Sequence, residues 1–194
     1  MYHLLKTTLL GAALGAMFGG TVLAGHLYLE DNPPSITLSG MFNAEMANKF
    51  QFFMGSHQGE PRINIKIDSP GGSVVALNTL LDTMDKEHAK GTKFYCSTNS
   101  AAVSAGAAVL FHCDNIEASP RAYIMIHMGG TKSSPQQVEL TPFDPIEDKI
   151  WIDFALSGLN EASRWLKPEE IQKVKDGGDV ELTGKELMAR IHAK

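Results

Sequence analysis

The 194-residue chain has two cysteines, Cys96 and Cys113, and no Cys-x-x-Cys pair. Metal sites of the finger or ribbon type are excluded by that spacing, and the scattered histidines supply no ligand pattern of their own. No metal and no cofactor is expected. A basic excess is also missing. The net charge is −5, which offers no attractive field for nucleic acid. There is no Walker lysine and no Gly-x-Gly-x-x-Gly run, so its glycine pairs lack the surroundings of a nucleotide-binding loop. Internal repeats and low-complexity segments are absent, and the length suits one domain with a substantial core.

Charge is scarce at the start. Residues 1–24 carry one charged side chain, Lys6, followed by the uncharged stretch from Thr7 to Ala24. Val22 and Ala24 have the small-residue spacing of a signal-peptidase site, and Gly25 would open the mature chain. The expectation is a cleaved export signal over 1–24, with an uncleaved membrane anchor as the alternative. No cysteine follows the run, so lipid attachment is not suggested there. Export, to a periplasm or outside the cell, would permit a disulfide between Cys96 and Cys113. Residues 25–34 include Asp31-Asn32-Pro33-Pro34 and read as an extended linker. The folded domain is expected over 35–194.

Within that domain, elements alternate. Ser35 to Gly40 reads as a strand ending in glycine. Asn43 can cap a helix with Met46, Phe50, Phe53 and Met54 on one face. Ile63 to Asp68 alternates apolar and polar, and Ser69-Pro70-Gly71-Gly72-Ser73 breaks it. A helix follows with Val74, Leu77, Leu80, Leu81 and Met84 at helical spacing. Lys93 to Thr98 is the next strand, and Ala122 to Ile126 suggests another. Gly129 to Asp144 reads as an exposed excursion, and Asp148 to Leu166 as a long helix. Pro168 suits the first turn of a helix that Gly177-Gly178 ends. Thr183 and Glu186 have capping-box spacing for the last helix. Strand–helix alternation predicts an α/β domain with a largely parallel sheet. Its crevice should lie at the carboxyl ends of the strands, where Ser69–Ser73 and Ser104 both fall.

Ser104 would sit where a strand turns into a helix, among the small residues Ala102, Ala105, Gly106 and Ala107. A hydroxyl there faces free backbone N–H groups and the positive end of the helix dipole. Taken alone, a serine at a helix start is more often an ordinary cap. Gly71-Gly72 can present backbone N–H groups with no Cβ in the way, although strand-to-helix turns commonly carry glycine for other reasons. His127 ends the strand Tyr123–Ile126. That position suits a general base, while a lone histidine there is commonly structural. His57, His88 and His112 fall at helix ends or loops and are given no chemistry.

Four segments carry a family resemblance. Ile67-Asp68-Ser69-Pro70-Gly71-Gly72-Ser73 resembles the glycine segment of the Clp protease proteolytic subunit. Ala102-Val103-Ser104-Ala105-Gly106-Ala107 is similar to its nucleophile turn, and Arg121 to His127 to its histidine strand. Asp179-Val180-Glu181-Leu182-Thr183-Gly184 is similar to its acid-containing segment, and Ile36 to Gly40 with Met46-Ala47-Asn48 adds to the match upstream. The resemblance implies the α/β spiral of β-β-α units shared with crotonases, with a largely parallel sheet flanked by helices. It implies a serine endopeptidase with Ser104 as nucleophile, His127 as base and Asp179 as the orienting acid, Asp176 being the rival. The N–H groups of Gly72 and Ala105 would hold the oxyanion. A peptide or unfolded polypeptide substrate and a homo-oligomer, in which a ring is one form, are further implications.

The chain departs from the family in several places. Val103 replaces the usual alanine, and Asp68 the commoner asparagine. Gln136 to Asp148, where the family has its ring-stacking handle, is acidic and holds Pro142 and Pro145. An export signal would separate the protein from a cytosolic ATPase partner. Three other functions compete. A signal-peptide-peptidase-like serine–lysine enzyme would need Lys66 or Lys93. A crotonase-like acyl-coenzyme A enzyme would use the glycine segment alone. An inactive binding module would use neither.

Overall fold

The computed structural model describes residues 33–127, 159 and 161–193. The leader at 1–24, the excursion at 129–144, the acidic segment at 136–148 and most of the helix expected at 148–166 lie outside the described residues. Pro33–Lys194 forms one compact unit.

Alternation in the sequence becomes alternation in space. Strand β1 (Ser35–Ser39) is followed by helix α1 (Ala44–Ser56), whose cap Asn43 accepts a bond from the Met46 N–H at 2.9 Å. Strand β2 (Arg62–Ser69) buries Ile63, Ile65 and Ile67 on one face. Helix α2 (Val74–His88) is capped by Ser73 and buries Leu77, Leu80 and Met84. Strand β3 (Lys93–Val103) leads into helix α3 (Ala105–His112), and strands β4 (Asn115–Ala118) and β5 (Tyr123–Ile126) follow. Helix α4 (Pro168–Lys175) has Pro168 in its first turn, strand β6 (Val180–Thr183) comes next, and helix α5 (Gly184–His192) opens on a Thr183–Glu186 capping box.

The sheet runs β1-β2-β3-β5-β6, with β4 paired to β3 off this path. All pairings are parallel except β5 with β6. Two features differ from expectation. Strand β3 does not stop at Thr98. Its first half pairs with β4, and Ala101–Val103 then pairs with Tyr123–Met125 of β5. That ladder overrides the turn-like composition of Asn99-Ser100. Strand β6 is an antiparallel edge that four residues were too few to announce.

Helix α3 is apolar nearly all round and packs on the sheet through Val109, Leu110 and Phe111. Cys96 of β3 is joined to Cys113, just past α3, by a disulfide with Cα atoms 5.9 Å apart. His112, the last residue of α3, has Nδ1 2.7 Å from Glu161 and Nε2 2.9 Å from Asp85 of α2. Burial opposes charge on this imidazole, but the bond to Glu161 and the Glu161 and Asp85 carboxylates outweigh it and hold the pKa above its usual value. Among the described residues no helix is long and apolar enough to cross a membrane.

Candidate active site

Ser104 stands at the junction of β3 and α3. Its φ of 54° makes it the one non-glycine residue with positive φ among those described. A serine held this way costs on the order of 1–3 kcal/mol and needs surroundings that impose it. Its N–H donates to the Met125 carbonyl at 2.9 Å, extending the β3–β5 ladder by one step, and its carbonyl accepts from the Ala108 N–H at 3.0 Å. The side chain makes no cap bond to its own helix. Its hydroxyl is turned instead toward His127.

The glycine turn lies against it. A Cβ on Gly71 would fall 2.7 Å from Ser104 Cβ and 3.2 Å from Ser104 Oγ. The Gly71 carbonyl accepts from the Phe42 N–H at 2.8 Å, and the Ser73 N–H donates to the Phe42 carbonyl at 2.9 Å. The Gly71–Gly72 peptide is trans, so the Gly72 N–H points opposite to the Gly71 carbonyl and away from Phe42. Neither the Gly72 nor the Ala105 N–H has a backbone partner among the described residues. Both are therefore available to a negative oxygen.

This turn accepts only glycine. Gly72 has a φ of 146°, and a Cβ there would lie 2.5 Å from the Phe42 oxygen and 2.6 Å from its nitrogen. Both neighbours are backbone and cannot rotate away. Gly72→Ala is expected to lower stability by roughly 2 kcal/mol or more, read as an earlier urea midpoint at unchanged m-value. An unchanged midpoint would show that the turn yields freely.

His127 follows β5, and its Nε2 lies 2.8 Å from Ser104 Oγ. The two residues are brought together because β3 and β5 are adjacent and parallel, so their carboxyl ends coincide. The acids behave differently from one another. Asp176 closes α4, where its carboxylate accepts from Gln172 Nε2 at 2.8 Å. Asp179 immediately precedes β6. The antiparallel register ends at Ile126↔Val180, and His127 and Asp179 are the residues next to that last pair, one on each chain segment. Among the described residues no hydrogen bond joins His127 to either carboxylate. Burial, together with the Glu181 and Asp179 carboxylates, pushes the Tyr123 hydroxyl above its usual pKa on this same edge.

The two candidate lysines, Lys66 and Lys93, sit elsewhere. Lys93 opens β3, at the far end of the strand from Ser104, with Nζ 2.9 Å from Asp114. Lys66 is exposed on β2. Asp68 accepts a bond from the Ser100 hydroxyl. Phe42 and Ser69 shape the glycine turn without having been singled out in the sequence. The bonds from Ser69 to Gly40 and from Phe42 to Gly71 and Ser73 reach across 29 or more positions, and no local pattern signals those contacts. No group of three or more His, Cys, Asp or Glu that could hold a metal ion occurs among the described residues.

A serine on a strained strand-to-helix turn, bonded to a histidine and flanked by amides with no backbone partner among the described residues, is an arrangement suited to acyl transfer. A Clp protease family model matches residues 29–142. That span exceeds half of the 194 residues, and the chain belongs to the Clp protease family. The match contains Gly72, Ser104, Ala105 and His127, and it ends before Asp176 and Asp179. Comparison with curated proteins returns no match.

Proposed function

We propose that the protein is a serine endopeptidase acting through Ser104, His127 and Asp179. The observation that carries this reading is the 2.8 Å contact between His127 Nε2 and Ser104 Oγ, beside the Gly72 and Ala105 N–H groups, which have no backbone partner among the described residues. His127 Nε2 takes the hydroxyl proton as Ser104 Oγ bonds to the peptide carbonyl carbon. The carbonyl oxygen becomes an oxyanion held by Gly72 and Ala105. The C–N bond then breaks, and His127 returns the proton to the leaving amine. Water repeats the sequence on the acyl-enzyme and regenerates Ser104. Asp179 orients the imidazole and supports its positive charge. Its place in the register favours it over Asp176, whose carboxylate is taken by Gln172.

In this reading the substrate is a peptide or an already unfolded chain, taken without a cytosolic ATPase, by a homo-oligomer. The 1–24 leader favours export, and the Cys96–Cys113 disulfide suits an oxidising compartment. Among the described residues the serine–lysine alternative is not favoured by its two named candidates, since Lys93 is held at the other end of β3 by Asp114 and Lys66 is exposed on β2.

The test is a fluorophosphonate probe. Wild type is expected to be labelled on Ser104, and Ser104→Ala, still folded, to take no label. Equal labelling of the two would end the assignment.

A further inference from the structure

We infer that Ser69 is a positioning residue for the oxyanion donors of this site, an inference that rests on the reading of Ser104 as nucleophile. Ser69 is fully buried at the end of β2. Its Oγ donates to the Gly40 carbonyl at 2.6 Å and accepts from the Gly71 N–H at 3.0 Å. With its one proton committed to Gly40, the hydroxyl keeps a lone pair aimed at Gly71, so the two bonds are met together in a single orientation.

The same residue touches the third part of the site. A Cβ on Gly106 would fall 3.2 Å from the Ser69 carbonyl oxygen and 3.3 Å from Ser69 Cβ. Gly106 lies in the first turn of α3, directly after the Ala105 donor. Ser69 therefore links the end of β1, the glycine turn and the start of the Ser104 helix. The Gly71 N–H, in the Pro70–Gly71 peptide, is held by Ser69, and the Gly71 carbonyl, in the Gly71–Gly72 peptide, by Phe42. Those two bonds determine where the Gly72 N–H points. Without the Ser69 hydroxyl the turn is held on one side only, and the donor loses its aim at the developing oxyanion.

A misaimed donor slows the chemical step while leaving ground-state binding intact. The experiment follows fluorophosphonate labelling over time, giving kinact and KI. Ser69→Ala is expected to lower kinact by on the order of 10- to 100-fold, with KI within about twofold of wild type. The pH profile of kinact, which reports His127, should not move. Thr92→Val is the control. Thr92 is equally buried, and its hydroxyl donates to the Glu60 carbonyl at 2.9 Å at the far end of the sheet. It removes the same kind of bond and should leave kinact unchanged. Ser69→Cys keeps the side chain's shape with a somewhat larger atom but bonds weakly, and it should carry the same kinact defect should Ser69→Ala not fold. Labelled wild type with kinact in the Ser69 variants no lower than in Thr92→Val overturns the Ser69 role alone. A rise in KI matching the loss in kinact/KI, or a shifted pH profile, also overturns it. Wild type that takes no label on Ser104 overturns both this role and the nucleophile assignment.

Discussion

Ser104→Ala and His127→Ala are each expected to lower kcat for peptide cleavage about 10⁶-fold, and the double variant no further than either alone. Non-additivity is the informative part. In the proposed mechanism nucleophile and base act as one unit: without the imidazole the hydroxyl would keep its proton, and without the hydroxyl the imidazole would have no proton to take. Two independent contributions would multiply instead. The structure supplies the reason to expect a unit, since His127 Nε2 and Ser104 Oγ are 2.8 Å apart and the Ser104 side chain has no competing cap bond. Asp179→Ala should cost less, about 10⁴-fold, because the oxyanion donors and the imidazole remain. The measurement is kcat and KM for a fluorogenic peptide at matched folded fraction. Activity surviving His127→Ala would transfer the base role to a lysine. A double variant far worse than either single would show that the two side chains act separately.

How much of this was legible beforehand depends on the range of the contacts. The caps at Asn43 and Thr183 span three residues, and each forms as the sequence pattern suggested, while Ser73 caps α2 without having been read as a cap. The alternation in Ile63 to Asp68 produces a strand with its isoleucines buried, because a period of two leaves one face for the core. The Ser104 turn could be located since a β-like run gives way directly to an apolar helix. What could not be read is how distant segments meet. Strand β3 passes from β4 to β5 along its length, and only that exchange brings His127 beside Ser104. Strand β6 is four residues between a glycine turn and a helix cap, and it is strand only because β5 offers an open edge. The choice between Asp176 and Asp179 rests on that register, three residues apart in sequence and opposite in surroundings. Ser69 sat inside a recognised motif, yet its bond to Gly40 crosses from one strand end to another. Propensity carries no information about such a contact.

Reducing the Cys96–Cys113 disulfide is expected to lower stability by about 3 kcal/mol, which for a domain of this size is a fall in Tm of roughly 6–12 °C. The bond spans 17 positions. Closing a loop of that length removes conformational entropy from the unfolded chain, and opening it returns that entropy. The loop is also the one that carries Ser104. Cys96 lies in β3 before the turn and Cys113 just after α3, so the covalent link joins the two elements whose junction holds the serine at positive φ. Both cysteines are buried, so a reductant acts mainly on the opened chain. The measurement compares thermal unfolding with and without a dithiol for wild type and for the Cys96→Ala/Cys113→Ala double variant. Wild type should lose stability on reduction, and the double variant should not respond. The comparison within each protein removes the packing cost of the alanines, which would otherwise add to the difference. A wild-type Tm indifferent to complete reduction would mean that strand β3 and helix α3 hold the serine turn without the covalent tie.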